Sequence, residues 1–439
     1  MNNDAFQQVS HSIDRIAGRE EKIHAFAFLA EDDARQQAVA LDELPRSTKK
    51  VLPLFGVPIA IKDVVHVAGM PTSAGSAILE GFEPEQDAEC VRMLRDAGAI
   101  LLGKTATSEF AFLDPAKTRN PRNLMHTPGG SSSGSAAAVA ADFCPAAIGT
   151  QTFGSIIRPA SYCGVIGFKP TCGAISRDGV IPVSWTLDHV GILSRSVTLA
   201  ARLADTLFAA DYPGERPRAL RKSGRRRLGD ASEKNLVGIP DRYFGENIDG
   251  TVREGYERAV DALESAGARI RPIRLPPLFE PAVAAAGIIL RVEAAAFHRK
   301  WFPERSADYG PRLRCLIESG NSVSSVEYLK ARQIRQAARK QMRVVWKEVD
   351  FLATPSTPSV APAGIDSTGD PVFNTPFSVL GNPAITMPSA YSSGTGLPAG
   401  LQLIAPVWAD AALLGLALSL ESTGFGQVLP PATEGTNEV

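Results

Sequence analysis

Residues 128–164 read PGGSSSGSAAAVAADFCPAAIGTQTFGSIIRPASYCG, and this stretch decides the fold. Two glycines and three serines lead into an alanine-rich run of high helix propensity, which predicts a helix over 132–143 that begins among small polar residues. The apolar run 145–151 predicts a buried strand that ends in small residues. Ser155 follows at a Gly-Ser bend, where a hydroxyl would lie beside several backbone N–H groups, as an oxyanion hole requires.

Each serine segment taken alone also admits a plainer interpretation. The Gly/Ser run could be a linker or an ordinary capped helix, and the Lys-[Ser/Thr] ending of a phosphate-binding P-loop is absent. The bend at Ser155 could be a structural turn. It is not the G-x-S-x-G elbow of another hydrolase class, because Ile157 stands where the second glycine would be.

Lys62 supplies the base that these serines lack. A serine hydroxyl is a poor nucleophile at neutral pH and needs a neighbouring base, yet no histidine near either serine run would serve as one. Lys62 follows the apolar, strand-like stretch 51–61, where burial would lower its pKa and keep the amine neutral. A strand-end lysine paired with Asp63 is the alternative. In combination with the two serine segments, the lysine base is favoured.

The rest of the chain alternates short apolar runs with amphipathic segments, which is typical of an α/β fold whose helices cover a largely buried sheet. We expect one large domain over residues 1–439. Its predicted parts are an N-terminal helical segment at 1–50, a catalytic core at 51–210, a peripheral and more variable layer at 211–350, and the C-terminal part of the core at 351–439.

Composition excludes several functional classes. The net charge of −1 points to no nucleic-acid or membrane partner, and the one basic cluster, at 215–234, is interpreted as a solvated surface loop. The five cysteines lack metal-ligand spacing and are expected to be buried free thiols. The polar N-terminus does not resemble a secretion signal, and no apolar run reaches the roughly 18 residues of a membrane span. A soluble, cytoplasmic enzyme is the expectation.

Together these segments resemble the amidase signature family, the Ser–cisSer–Lys hydrolases. The resemblance begins at LFGVPIAIKD (54–63), includes both serine segments, and continues through LDHVGILSRSV (187–197) to GLPAGLQLIAP (396–406). It implies a large mixed, twisted β-sheet covered by helices on both faces.

The resemblance also implies a role for each chemical residue. Ser155 would attack the carbonyl carbon, Ser131 would follow a cis peptide bond and relay the proton, and Lys62 would accept it as a neutral amine. Ser133 would add a hydrogen bond to the same network. Backbone amides would hold the oxyanion, namely those of Thr152, Phe153, Gly154 and Ser155.

Two departures from the common family pattern bear on the substrate. Arg158 stands three residues after the nucleophile, and Gln151 replaces the usual aspartate; both features resemble malonamidase-type amidases, in which the arginine grips a substrate carboxylate. Arg158, Ser133 and Gln151 are therefore the candidate substrate-binding residues. A structural ion pair is the alternative role for Arg158. Phe153 stands where the family has glycine, the residue that adopts positive φ without strain. Its side chain is expected to fill part of the acyl pocket and to favour a small or flat acyl group.

The predicted function is hydrolysis of the C–N bond of a small amide, with or without a carboxylate, through an acyl-enzyme that releases ammonia or an amine. Two alternatives remain: a glutaminase-type subunit of a tRNA-dependent amidotransferase, or a member impaired by Phe153. No cofactor and no metal is expected, and we expect a homodimer acting on a small molecule.

Overall fold

The computed structural model describes residues 4–215 and 235–431, so the basic cluster at 215–234 lies outside the described residues except for its first residue. Its strands are Phe26–Leu29 (β1), Pro58–Lys62 (β2), Ile100–Thr105 (β3), Ala146–Gln151 (β4), Ile166–Lys169 (β5), His189–Ser194 (β6), Leu236–Pro240 (β7), Arg269–Ile273 (β8), Phe351–Pro355 (β9), Ala384–Tyr391 (β10) and Pro398–Ile404 (β11).

The α-helices of the described residues are Ala5–Ile23 (α1), Glu31–Glu43 (α2), Arg46–Val51 (α3), Glu89–Asp96 (α4), Ser133–Ala140 (α5), Ile157–Cys163 (α6), Val197–Leu207 (α7), Gly250–Ser265 (α8), Phe279–His298 (α9), Phe302–Arg305 (α10), Pro311–Asn321 (α11), Ser325–Glu348 (α12), Thr375–Leu380 (α13) and Asp410–Ser422 (α14). Short 3₁₀ helices lie at Ala77–Leu79, Glu109–Ala111 and Ser306–Asp308.

All the strands belong to one mixed sheet in the order β1-β3-β2-β4-β6-β5-β10-β11-β9-β7-β8. Strands β3, β2 and β4 run parallel to one another, and β6 runs antiparallel to β4. The large mixed sheet predicted from the sequence is confirmed.

Helices cover both faces of this sheet because its central strands are apolar on both sides. In β2, Ile59 and Ile61 contribute to one hydrophobic cluster, whereas Ala60 contributes to a second cluster on the opposite face. In β3, Leu101 joins the first cluster, whereas Leu102 joins the second. Successive side chains of a strand point to opposite faces, so continuous apolar runs require cover on both.

The described residues of 211–350, expected to form a peripheral layer, extend the sheet and line one side of the cavity described below. Strands β7 and β8 form its edge, and α9 packs against α11, α12 and α13. Helix α9 is long and apolar enough, by length and composition, to cross a membrane, contrary to the expectation that no segment would be. Half of its apolar window is buried inside the fold, which is typical of a core helix. The proposed division into parts remains a prediction.

Candidate active site

The candidate site lies at one edge of the sheet, where the parallel strands β2 and β4 end. Lys62 is the last residue of β2, and Gln151 is the last residue of β4. His189, the first residue of the antiparallel β6, pairs with Gln151, which brings Asp188 to the same edge. The carboxyl ends of parallel strands are the usual ligand-binding edge of an open α/β sheet.

The Lys62 amine is fully buried among hydroxyl groups. Its Nζ lies 2.8 Å from Ser131 Oγ, 3.0 Å from Ser132 Oγ and 2.8 Å from Thr150 Oγ1. Ser132 Oγ donates to the Thr150 carbonyl at 3.1 Å, so its oxygen is left to accept from the amine. Ser131 Oγ contacts no other acceptor within residues 4–215 and 235–431, so its hydrogen can point at the lysine lone pair.

This environment favours the neutral amine. Burial lowers the pKa of Lys62 well below its ordinary 10.5; the negative charge of Asp188 opposes the shift, and the positive charge of Arg158 adds to it. Asp63, the neighbour in sequence, forms an ion pair with Lys104 instead, at 3.0 Å. The alternative interpretation of Lys62 as a lysine paired with Asp63 is therefore wrong.

The peptide bond between Gly130 and Ser131 is cis, as the family resemblance implies. The Ser131 carbonyl accepts from the Ser108 amide at 3.3 Å and from Thr107 Oγ1 at 3.1 Å, and these two hydrogen bonds stabilise the backbone at Ser131. Ser133 lies outside the lysine network, because its hydroxyl contacts the Ala106 carbonyl at 3.5 Å. Ser132 occupies the place in the network that was expected of Ser133.

The turn after β4 is held by the Gln151 side chain. Gln151 Nε2 donates to the Phe153 carbonyl at 3.0 Å and to Ser378 Oγ at 2.7 Å. Its Oε1 accepts from the amides of Ile156 at 2.8 Å and Ile157 at 3.0 Å. Gln151 is thus buried, with both polar atoms bonded within the turn, and it is absent from the described lining of the cavity. The structure assigns it to supporting the turn, whereas the sequence suggested substrate binding.

With the turn held by Gln151, a run of its backbone amides remains available for hydrogen bonding to a ligand. The backbone N–H groups of Thr152, Phe153, Gly154 and Ser155 donate to no protein acceptor within the described residues. Free amides beside a serine are the groups that an oxyanion hole requires. Phe153 does not have a left-handed φ, so its replacement of glycine introduces no strain of that kind. Its ring is half-buried and contributes to the cavity wall.

Asp188 holds the start of this turn, a role that the sequence did not reveal. Its Oδ1 accepts from Thr152 Oγ1 at 2.6 Å, and its Oδ2 accepts from the amides of Val183 at 2.8 Å and Ser184 at 3.0 Å. Burial raises the pKa of Asp188 to about 6, although these hydrogen bonds oppose the shift. In the sequence, Asp188 falls within the motif at 187–197, which contributed to the family resemblance but indicated no role for Asp188 itself.

Ser155 and Arg158 face a single cavity of about 770 Å³. Its walls are mainly apolar and include Phe153, together with Leu290 from α9 and Leu316 from α11. Three arginines line it, namely Arg158, Arg291 and Arg312, whereas Asp370 is the one acidic residue among its described lining residues. The cavity therefore suits an anionic ligand with apolar parts.

The Arg158 guanidinium is buried, and neutral groups are its hydrogen-bond acceptors. Its Nη2 donates to the Gly130 carbonyl at 2.6 Å and to Thr368 Oγ1 at 3.2 Å, its Nε donates to the same carbonyl at 3.2 Å, and its Nη1 donates to the Gly369 carbonyl at 2.6 Å. No carboxylate lies within 4.0 Å of it in the described part of the chain, so the expected alternative of a structural ion pair is not found there. Burial lowers its pKa to about 10, a value at which it still carries its charge at neutral pH.

Among the described residues, no group of three or more His, Cys, Asp or Glu side chains is placed to hold a metal ion. All five cysteines are free thiols. Cys90, Cys144 and Cys163 are buried as expected, whereas Cys172 is partly exposed and Cys315 is exposed.

Comparison with known proteins gives a consistent family match. The family model described as Amidase matches residues 7–414. Similar curated proteins are the glutamyl-tRNA(Gln) amidotransferase subunit from Maridesulfovibrio salexigens, 34% identical over 95% of this chain and 93% of its own length, and its counterpart from Syntrophus aciditrophicus, 35% identical over 93% and 91%. Neither of these two is a malonamidase, so the finer resemblance to malonamidase-type enzymes stays a prediction.

Solved structures show the same fold. A protein from a vestigial complex that bears on the origin of an s-triazine catabolic enzyme superposes with a TM-score of 0.88 at 29% identity and 97% coverage of both chains. The peptide amidase of Stenotrophomonas maltophilia gives 0.81 at 29% identity, with 98% of this chain and 96% of its own covered. The glutamyl-tRNA(Gln) amidotransferase subunit from Thermotoga maritima gives 0.77 at 27% identity, with 99% and 96% covered.

Proposed function

Because the chain belongs to the amidase family, whose members act on C–N bonds, we propose that it hydrolyses an amide through an acyl-enzyme formed on Ser155. Lys62 is the base and Ser131 carries the proton between them. The observation that supports this most strongly is the buried lysine amine, which contacts Ser131 and has hydroxyl groups in place of a carboxylate partner.

The steps balance without any further group. Ser155 Oγ attacks the carbonyl carbon while its proton passes to Ser131 Oγ, and the Ser131 proton passes to Lys62 Nζ. The amides at 152–155 hold the developing oxyanion. The protons then return along the same route to the leaving nitrogen, the C–N bond breaks, and water later hydrolyses the acyl-enzyme.

We further propose that the substrate carries a carboxylate, which Arg158 attracts. Arg158 lines the same cavity as Ser155, and within the described residues no carboxylate lies within 4.0 Å of its guanidinium, although the charge of Asp370 acts on it from farther away. A buried charge without a contacting counter-ion is costly, and a substrate carboxylate would supply one. The cavity volume of about 770 Å³ supports a substrate whose remainder is larger than the small acyl group expected from the sequence.

Substitution of Arg158 tests this proposal against a purely structural role. Arg158→Gln also loses the hydrogen bonds to the Gly130 carbonyl, a loss that all substrates share. Beyond that shared loss, it is expected to weaken the use of a carboxylate-bearing amide by about 2–5 kcal/mol relative to a neutral amide of the same size. Steady-state ammonia release on the two substrates measures the difference.

Arg122 provides the matched control, since its buried guanidinium also donates to carbonyl groups, those of Cys163, Leu429 and Pro430. It does not line the cavity. Arg122→Gln should lower stability and leave the ratio between the substrates unchanged. If Arg158→Gln gives the same pattern as Arg122→Gln, carboxylate recognition is wrong.

A second candidate function is the glutaminase step of a tRNA-dependent amidotransferase. It is favoured by the similarity to amidotransferase subunits of this kind along nearly the whole chain. Glutamine is also an amide with a carboxylate, but it carries an ammonium group as well. The described lining of the cavity holds one acidic residue, Asp370, to pair with that group, beside three arginines.

A panel of amides separates the two functions. Glutamine, dicarboxylic acid monoamides, carboxylated ureas and neutral anilides would be assayed for ammonia or amine release, with Ser155→Ala as the inactive reference. Turnover of monoamides by the isolated chain supports the first function. Turnover of glutamine that requires co-expressed partner chains supports the second.

A further inference from the structure

Glu293 of α9 is a buried carboxylate that the mechanism above does not use. It accepts hydrogen bonds from Ser184 Oγ and Thr186 Oγ1, from the Thr186 amide at 2.9 Å, and from Tyr328 Oη at 2.8 Å. No cation lies within 4.0 Å of it in the described part of the chain. Four neutral donors therefore replace the water lost on burial, and each matters because a buried carboxylate without donors is strongly destabilised.

Three of these four donors lie in the segment 183–188, which joins Glu293 to the active site. Within that segment, Asp188 accepts from the Ser184 amide at 3.0 Å, and the Asp188 amide donates to the Ser184 carbonyl at 2.9 Å. Ser184 thus bonds Glu293 through its side chain and Asp188 through its backbone. Among the described residues, no carboxylate other than Glu293 and Asp188 accepts a hydrogen bond from this segment.

Asp188 in turn holds the Thr152 hydroxyl at 2.6 Å. Thr152 begins the run of free amides that would bind the oxyanion, and Val183, at the other end of the segment, lines the cavity. Helix α9 itself contributes Leu290 to that cavity. A continuous set of hydrogen bonds therefore runs from α9 through Ser184 and Asp188 to the turn.

We propose that Glu293 is a positioning residue for the oxyanion turn: it fixes segment 183–188, which fixes Asp188, which fixes Thr152. The inference rests on the proposed function of that turn. Glu293 touches no reacting atom, so its effect is on where the amides stand and not on proton transfer. Oxyanion stabilisation depends on donors held at 2.7–3.1 Å from the developing charge, so a small displacement is felt mainly in the transition state.

Glu293→Gln tests this inference, because it keeps the shape but replaces one accepting oxygen by an NH₂ group that opposes the donors around it. The expected result is a fall in kcat of about 10–100-fold with KM changed by less than about threefold, since a small displacement of the amides weakens mainly the bonds to the oxyanion, which forms only in the transition state. Binding of an aldehyde analogue of the best panel substrate, which forms a tetrahedral oxyanion on Ser155, should weaken by the same factor as kcat/KM.

Asp410→Asn is the matched control. Asp410 is an equally buried carboxylate that accepts from the Thr171 amide at 2.7 Å, from Thr171 Oγ1 at 2.6 Å and from Tyr212 Oη at 2.8 Å, and it does not line the cavity. This variant should lose thermal stability, yet keep kcat and aldehyde affinity within about twofold. If Glu293→Gln loses stability in the same way and also keeps kcat and aldehyde affinity, Glu293 is purely structural and the inference is overturned.

Ser184→Ala covers the case in which Glu293→Gln does not fold. It removes one donor to Glu293 and leaves the backbone bond to Asp188 intact, so a kcat decrease of a few fold at constant KM is expected, whereas an unchanged kcat overturns the inference. Failure of the proposed function is recognised separately. If Ser155→Ala retains wild-type turnover, the acyl-enzyme account fails, whatever Glu293→Gln does.

Discussion

Two buried lysines on neighbouring parallel strands, Lys62 of β2 and Lys104 of β3, differ in their partners. Both side chains are fully buried. Lys104 Nζ lies 3.0 Å from Asp63 Oδ1 and also donates to Thr72 Oγ1 at 2.6 Å and to the Pro71 carbonyl at 3.3 Å. Three acceptors, one of them charged, match the three hydrogens of an ammonium group.

Lys62 contacts three hydroxyl groups and, at 3.5 Å, the Thr150 carbonyl, with no carboxylate among them. A hydroxyl can donate as well as accept. Burial lowers the pKa of both lysines, but at Lys104 the contact with Asp63 opposes the shift, whereas the pKa of Lys62 is lowered well below its ordinary value. The comparison teaches that burial alone does not make a lysine a base. Both amines contact a hydroxyl, so the absence of a contacting carboxylate at Lys62 is what distinguishes the two.

The largest effect should come from Lys62→Met, which removes the amine and keeps most of the volume. Because Ser155 and Ser131 then have no proton acceptor, we expect turnover to fall by at least about 10³-fold, as with other disrupted nucleophile–base units. Steady-state kinetics on the best amide measure the loss. Retention of even a few per cent of wild-type turnover would show that another group is the base.

Lys104→Met should have the opposite effect, namely a large loss of stability with a small change in turnover. It leaves Asp63 buried without its cation, so we expect a loss of about 3–5 kcal/mol in the free energy of unfolding, with turnover per folded molecule changed only a few fold. Urea unfolding followed by circular dichroism measures the first quantity. A stability loss in Lys62→Met as large as that in Lys104→Met would remove the distinction between the two lysines.

The pH dependence of stability should separate wild type from Lys62→Met. Lys62 in the unfolded chain stays protonated up to its ordinary pKa of 10.5, whereas in the folded protein it loses its proton at lower pH. Between those two pKa values the unfolded state binds more protons, so wild-type stability gains up to about 1.4 kcal/mol per pH unit as pH rises. Lys62→Met lacks this contribution.

Urea unfolding of both proteins between pH 7 and pH 10 gives the comparison, since other titrating groups are shared and cancel. The stability of wild type relative to Lys62→Met should increase with pH. A constant difference over this range would mean that Lys62 keeps its proton in the folded state.

The smallest effect is expected at Phe153. Phe153→Gly removes the ring from the cavity wall and leaves its backbone amide in place, so it should admit bulkier acyl groups while changing turnover of the preferred amide only a few fold. Relative kcat/KM on acyl chains of increasing size measures this. A loss of the same size on every substrate would instead indicate a disordered turn.

Much of this could be predicted from the sequence because the decisive signals are local. A buried strand ending at Lys62 and another ending at Gln151 follow from apolar runs, and parallel strands necessarily end at one edge. The pairing of Asp63 with Lys104 is not local, because Asp63 lies in the turn directly after β2 whereas Lys104 lies in β3.

The remaining features depend on contacts between distant segments. Nothing in the run Ser131–Ser132–Ser133 indicates which hydroxyl meets Lys62, because that depends on how the backbone enters α5. Asp188 reaches Thr152 only because β6 pairs antiparallel with β4. Glu293 lies in a helix whose alanine-rich sequence gives no sign that segment 183–188 rests on it.

The central claim is that a neutral Lys62 draws the proton from Ser155 through Ser131, and the pH dependence of acyl-enzyme formation tests it most directly. Single-turnover acylation of wild type should rise with pH through one ionisation below 10.5, and the residual rate in Lys62→Met should show no such rise. Wild-type acylation that is flat from pH 6 to pH 10, or an identical rise in Lys62→Met, would contradict the account.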